Sequence, residues 1–393
     1  MNSRTKAFQT TVFSEFSALA AEVGAVNLGQ GFPDFDGPDL IKEAAAKAIR
    51  DGVNQYAQGS GAPVLRTAIS EHALRFYGQK VDPNTMVTVT SGATEAIFDA
   101  VMGLVEPGDE VVLFEPFYDS YEASVVMAGA AARHVLLRPP DDDHASWWFD
   151  EEELRAAFSA KTKLCIVNTP HNPTGKVFTR EELEFIGDLC ARHDATLLSD
   201  EVYEHLTFAP AHHLRPATLP GLAERTVTVS SAGKSFSLTG WKVGWVIAPP
   251  TLREAVQRVH QYVTFATAAP LQVAVAAALR LPDSYFATFQ ADYRLKRDAL
   301  AAGLALVGLS PHVPDGAYFI MADISGSGFA DDFAFCRHLT REVGVAAIPP
   351  SAFYADHHKA QGQEFARFAF CKTAATLQSA ITKLTRYKPA HGP

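Results

Sequence analysis

Residues 230–245, SSAGKSFSLTGWKVGW, set Lys234 among Ser230, Ser231, Gly233, Ser235 and Ser237, and a second cation, Lys242, follows between aromatics. A free lysine titrates near ~10.4 and is a poor nucleophile at neutral pH. Burial or a neighbouring cation lowers that value and makes the amine reactive. Small neighbours let another molecule approach the amine closely, and Lys242 can supply the neighbouring cation or hold an anion. Taken alone, the stretch reads equally well as a serine-rich surface loop with two solvated lysines.

Other stretches offer complementary chemistry. In SGATEAI (91–97), Ser91 and Gly92 stand at a strand-to-helix junction, where unpaired N–H groups and the helix dipole favour an anion. An ordinary helix cap gives the same pattern. In NTPHNPTG (168–175), a rigid polar turn presents Asn172 as a hydrogen-bond donor; a plain turn is the alternative. In LLSDEVY (197–203), Asp200 ends a hydrophobic strand, where open α/β sheets bind ligands, and Tyr203 lies within reach. A buried carboxylate needs a cation, and a protonated ring nitrogen is one such partner; a helix-capping aspartate is the other reading. In EFARFAFCK, Phe365, Arg367, Ala369 and Cys371 share a face at period two. An arginine in that apolar strand needs a carboxylate or phosphate, from a structural salt bridge or from a substrate.

The elements that must position these groups alternate short apolar strands with amphipathic helices, the pattern of βαβ units and a mostly parallel sheet. MVTVT, VVLFEP, TKLCIVNTP, ATLLSDEVY, RTVTVSS and GWKVGWVIA read as buried strands. Ile97, Val101 and Leu104 keep helical spacing, and Thr179 with Glu182 forms a capping-box pattern ahead of another helix. From about residue 285 the texture becomes α+β: FQADYRLKRDALAAGLALVG reads as a helix, GAYFIMADI and EFARFAFCK as strands. The expected division is an N-terminal segment, 1–45, packing with the C-terminal unit, a large domain, 46–285, and a small domain, 286–393.

With 393 residues, 47% hydrophobic and 20% charged, the chain has the composition of a globular protein with a sizeable core. A net charge of -10 argues against nucleic-acid binding through a broad basic face. Cys165, Cys190, Cys336 and Cys371 are widely spaced and read as reduced core residues of a cytoplasmic protein. The pairs His212–His213 and His357–His358 lack a third ligand at metal spacing and read as solvated loops, so no metal is expected. No signal-peptide pattern opens the sequence, and no apolar run reaches the ~18–20 residues of a membrane span.

A reactive lysine, a buried aspartate, a phosphate cradle, an asparagine turn and a carboxylate-reading arginine are together the parts that a pyridoxal phosphate enzyme uses. In order and spacing, VNLGQGFPDF, NQYAQGSG, TSGATEA, NTPHNPTG, SDEVY, SSAGKSFSLTGWKVGW and RFAFCK resemble the class I/II aminotransferases of fold type I across nearly the whole chain. GFPDFDGP, DEVYEHLTF and VHQYVTF are most similar to the methionine and kynurenine/glutamine branches. The resemblance implies a seven-stranded, mostly parallel sheet between helices with a smaller α+β domain. It implies that Lys234 bonds to the aldehyde of pyridoxal 5'-phosphate, that Asp200 pairs with its ring nitrogen, and that Asn172 and Tyr203 reach its 3-oxygen. Ala93, Thr94, Ser231 and Lys242 hold its phosphate, and Tyr118 stacks on its ring. Many relatives carry arginine where this chain has Lys242; lysine keeps the charge and loses the fork. Arg367 and Gly31 face the substrate, with Asn172 beside them, while Tyr56 and Phe265 reach the partner's site in a homodimer.

The implied reaction is a ping-pong transfer of the amino group of methionine, aromatic or similar neutral L-amino acids, with glutamine and kynurenine as further donors, to a 2-oxo acid. Lys234 serves as the proton carrier. Lys234, Asp200 and Tyr203 form the catalytic set. A β-lyase acting on cystathionine or cysteine conjugates would use the same residues, and its products, pyruvate and a thiol, discriminate it. A non-catalytic cofactor-binding regulator is the third reading, disfavoured because the whole residue set is present and no appended DNA-binding domain is visible. Neither membrane nor nucleic acid is an expected partner.

Overall fold

The structure is a computed structural model that describes residues 4–6, 8 and 10–389. The outermost residues of the expected first and last domains lie outside the described residues. The central sheet has seven strands in the order Val87–Thr90, Gly244–Ile247, Thr226–Ser231, Thr196–Asp200, Thr162–Asn168, Glu110–Glu115 and Ala131–Leu136. Gly244–Ile247 runs antiparallel to both neighbours, and the other pairings are parallel. The inner strands are buried on both faces, as a sheet covered by crossover helices requires. Alternation along Glu110–Glu115 shows the two sides: Val111 and Leu113 pack with Ile97, Val101 and Val256, while Val112 and Phe114 pack with Leu183, Ile186 and Leu189.

Thr179 opens the helix Arg180–Arg192 with both halves of a capping box, its hydroxyl accepting from Glu182 N and Glu182 accepting from Thr179 N. The reading of GWKVGWVIA as one strand is corrected: Thr239–Trp241 is a 3-10 turn, Lys242 adopts the left-handed conformation at φ 53°, and pairing starts at Gly244. The apolar pattern reads as a strand, but the turn aims Lys242 at the end of the sheet. Gly244 is needed there because a Cβ would lie 2.6 Å from the carbonyl carbon of Gly92.

A three-stranded antiparallel sheet, Phe365–Ala369, Phe319–Asp323 and Ser310–His312, forms the C-terminal unit with the helices Asp283–Leu306 and Ala374–Leu384. The N-terminal helix Val12–Val23 buries Phe16 and Leu19 in the same core as Phe335, Leu339 and Phe368. Val26–Asn27 pairs in parallel with Val345–Ala346, and Ala369 N donates to Leu28 O at 2.6 Å. The chain after residue 27 therefore crosses the end of the small sheet as a strap leading into the site. The four cysteines are buried and unbonded. His213 and His358 depart from the solvated-loop reading: the His213 ring is buried with its Nε2 2.9 Å from Glu201, and the partly buried His358 meets the buried Glu115 through Nδ1.

Candidate active site

Parallel strands end at one edge of the sheet, and their last residues are Asn168, Asp200 and Ser231. A cavity of about 280 Å³ opens there, and Gly31, Ala93, Thr94, Tyr118, Asn172, Asp200, Tyr203, Ser231, Lys234 and Lys242 all line it. Ten sequence-derived candidates thus converge although they span residues 31 to 242. Arg367 stands behind Asn172, whose Oδ1 accepts from Arg367 Nη1 at 3.0 Å. Tyr56 and Phe265 are elsewhere: they are 84% and 52% exposed, with their rings edge-on at 5.2 Å.

One end of the cavity is built for an anion. Gly92 caps the helix Ala93–Leu104, whose first N–H groups face the opening. Lys242 lies against this turn, its Nζ 3.2 Å from where a Gly92 Cβ would stand. The turn is fixed from behind by Glu95, whose carboxylate accepts from Ser91 N and meets His260 Nδ1 at 2.8 Å.

The inner wall is acidic. Asp200 is 4% exposed, and its carboxylate accepts from Tyr121 Oη at 2.6 Å and from Val202 N at 3.3 Å, with no cation hydrogen-bonded to it among the described residues. Burial pushes its pKa up to about 6, although the Tyr121 hydrogen bond and Lys234 pull the other way. Asn168 braces both neighbours: its Nδ2 donates to Asp200 O at 2.9 Å and its Oδ1 accepts from Asn172 N at 2.7 Å. Burial raises the Tyr203 hydroxyl as well.

Lys234 enters from the short helix Ala232–Ser235. Its Nζ donates to Tyr318 Oη at 3.0 Å and approaches Gly31 O at 3.5 Å. Burial lowers its pKa to about 8; Lys242 and Arg367 add to that effect, while Cys371 and Asp200 oppose it. Arg367 is 1% exposed and, among the described residues, hydrogen-bonds only to neutral oxygens, Asn172 Oδ1 and, at 2.8 Å, Gly29 O. The rings of Phe13, Phe319 and Phe353 surround its guanidinium at 4.2–5.1 Å, and its Nε finds no hydrogen-bond partner among the described residues. Burial depresses its pKa to about 10.

Sequence reasoning did not single out Asn168, Tyr121 or Tyr318. Asn168 was legible as a polar end to an apolar strand. Tyr121 and Tyr318 carry no such signal, because an aromatic in a helix or strand reads as core.

An anion cradle at one end, a carboxylate with no cation hydrogen-bonded to it on the inner wall and an amine of lowered pKa between them suit a phosphorylated, protonated pyridine aldehyde. The comparisons agree. The family described as "Aminotransferase class I and II" matches residues 23–384. An N-succinyldiaminopimelate aminotransferase structure from Mycobacterium tuberculosis superposes with a TM-score of 0.94 at 47% identity, covering 98% of this chain and 99% of that one. A kynurenine–oxoglutarate transaminase of Dictyostelium discoideum is 43% identical (98% of this chain, 96% of the relative), and the methionine aminotransferase of Escherichia coli K12 is 40% identical (95% of each). The chain belongs to the class I and II aminotransferases of fold type I and is a pyridoxal-phosphate-dependent transaminase that works on amino-acid and 2-oxo-acid substrates.

Proposed function

We propose that the amino donor is a neutral L-amino acid with an apolar or aromatic side chain, of the methionine and kynurenine kind, and that a 2-oxo acid is the acceptor. The observation that carries this reading is the setting of Arg367. Its guanidinium offers hydrogen bonds to an α-carboxylate, while Phe13 and Phe353 beside it and Phe32 at the cavity lining suit an apolar side chain. The second reading is an acylated diamino dicarboxylate, the donor in the mycobacterial relative's name, supported by the 47% identity. Its distal carboxylates need a further cation. Lys372 is one candidate, with its Nζ donating at 2.7 Å to the carbonyl oxygen of Phe32, a cavity-lining residue.

In this proposal Ala93, Thr94, Ser231 and Lys242 hold the cofactor phosphate, Asp200 faces its ring nitrogen, Asn172 and Tyr203 face its 3-oxygen, Tyr118 covers the ring, and Lys234 bonds to it. When bound, the cofactor supplies the carbonyl that receives the amino group and the ring that stabilises negative charge at the donor's Cα. Lys234, with its pKa lowered to about 8, is partly unprotonated near neutral pH and can take the Cα proton. Tyr56 and Phe265, exposed as a pair, suit completion of a second subunit's site, so the working unit is a homodimer. Among the described residues no helix is long and apolar enough to cross a membrane.

A donor panel with several 2-oxo acids, read as kcat/KM ratios, tests the substrate. Methionine or aromatic donors should lead, and a preference of ~100-fold or more for the acylated dicarboxylate would favour the second reading. Replacing Lys234 with Ala should abolish both the covalent cofactor absorbance and amino transfer; transfer retained by that variant contradicts the assignment.

A further inference from the structure

Tyr318 immediately precedes the middle strand of the small sheet, fully buried, and is used by none of the roles above. Its hydroxyl donates to Gly31 O at 2.6 Å, joining the small sheet to the N-terminal strap. A phenol has one proton to give, and this one is committed. The same oxygen lies 3.0 Å from Lys234 Nζ and accepts from it.

The direction of that second bond matters. A lysine that is to remove a proton must present its lone pair to the substrate. A neighbour able to donate to the amine would occupy the lone pair, and a neighbour absent altogether would leave a four-carbon stem free to turn. We propose that Tyr318 is the positioning residue of Lys234: its hydroxyl, already committed as a donor to Gly31 O, only accepts from the amine and so steers the lone pair into the cavity.

The surroundings fix the hydroxyl in place. The Tyr318 ring stands edge-on to Tyr203 with centroids 5.1 Å apart and stacks at 6.1 Å on Tyr293. A Cβ on Gly31 would lie 2.7 Å from Phe319 Cζ and 3.5 Å from Tyr318 Cε2, so the strap reaches the hydroxyl only because residue 31 is glycine. Tyr318, Phe319 and the strap therefore hold one end of a bond whose other end is on the short helix Ala232–Ser235. The charged and titratable groups facing the amine are Asp200, Lys242, Arg367 and Cys371, together with the hydroxyls of Tyr203 and Tyr318.

The inference rests on Lys234 being the proton carrier, and its test separates the two claims. In Tyr318→Phe the ring packing stays and the acceptor goes. Expected are a 10- to 100-fold fall in kcat for the donor and a KM within about twofold of wild type. The second readout is independent of turnover: the full-length protein is stripped of cofactor, and Lys234 is labelled with acetic anhydride as a function of pH and quantified by peptide mass spectrometry. An oxygen acceptor stabilises an ammonium more than an amine, so its loss should move the labelling midpoint below the wild-type value. A purely structural role would not move it. Tyrosine fluorinated at carbon 3, installed at position 318, is nearly isosteric and a weaker acceptor, and its midpoint should fall between the two. It also serves if Tyr318→Phe folds poorly. An unmoved midpoint in either variant overturns the proposal, as does an unchanged kcat in Tyr318→Phe. Amino transfer by Lys234→Ala would instead overturn the role of Lys234 itself.

Discussion

Arg215 and Arg367 are each 1% exposed, and the chain treats them in opposite ways. Arg215 donates to Glu201 at 2.9 Å and to Glu204 at 2.7 Å, and its guanidinium lies 3.9 Å above the Tyr77 ring. Burial alone would lower its pKa, but the two carboxylates outweigh that and raise it. Arg367 meets two neutral oxygens and three aromatic rings, and burial depresses its pKa to about 10. The acids repeat the contrast within one segment. Asp200 faces the cavity with no cation hydrogen-bonded to it among the described residues, whereas Glu201 and Glu204, one and four residues later, both bind Arg215. In the proposed reading, the fold gives Arg215 its counter-ions within the chain and leaves Arg367 and Asp200 with neutral hydrogen-bond partners for a ligand's opposite charges.

The contrast breaks most visibly at Arg215. Arg215→Met removes the guanidinium shared by two buried carboxylates, leaving Glu201 with His213 and Glu204 with Ser230, and should cost about 3–5 kcal/mol of stability, seen as a large fall in Tm or loss of soluble protein. Arg367→Gln should leave Tm nearly unchanged and lower kcat/KM by ~10²–10³ through the lost carboxylate contact. If the two variants lose stability equally, the distinction between a structural and a reserved arginine is wrong. Asp200→Asn comes next: it should weaken cofactor retention and kcat by at least tenfold, read by dialysis and by turnover, with little change in fold.

A smaller effect concerns Asp99, fully buried beneath the anion cradle, whose carboxylate oxygens find no hydrogen-bond partner among the described residues, with His260 Nδ1 3.8 Å from Oδ2. Burial, with Glu95 nearby, raises its pKa from 3.8 to about 8. The folded state thus holds a proton that the unfolded chain releases near its ordinary value. The stability from that proton is complete below about pH 4 and is lost as pH rises through about 8. Asp99→Asn cannot ionise, so its Tm should exceed the wild-type value by a few degrees at pH 9 and match it near pH 4. A gain that is equal at both pH values would show that the carboxyl is not the titrating group.

The site was legible in the sequence to the extent that its residues lie where parallel strands end. Asp200 and Ser231 end buried strands and Asn172 and Lys234 follow them, and the topology of such a sheet brings those ends to one edge. What escaped notice depends on contacts between distant segments. The Tyr318–Gly31 bond spans 287 positions, and the His260–Glu95 pair behind the anion cradle spans 165. No local pattern marks either, since a tyrosine in a strand and a histidine in a helix are ordinary. Lys242 was found by spacing, while its left-handed turn was hidden by an apolar pattern that reads as continuous strand. Arg215 was missed because a cation in a loop looks solvated until Glu201 and Glu204 are seen to fold over it.

The central claim, that Arg367 keeps its charge for the substrate carboxylate, is tested most directly by pairing the enzyme variant with a substrate variant. The kcat/KM of methionine is compared with that of its decarboxylated analogue, 3-(methylthio)propylamine, in the wild type and in Arg367→Gln. The wild type should prefer methionine by ~10²-fold or more, and the variant should lose most of that preference while using the amine almost as well as the wild type does. A variant that slows both compounds by the same factor, with the preference intact, would contradict the account.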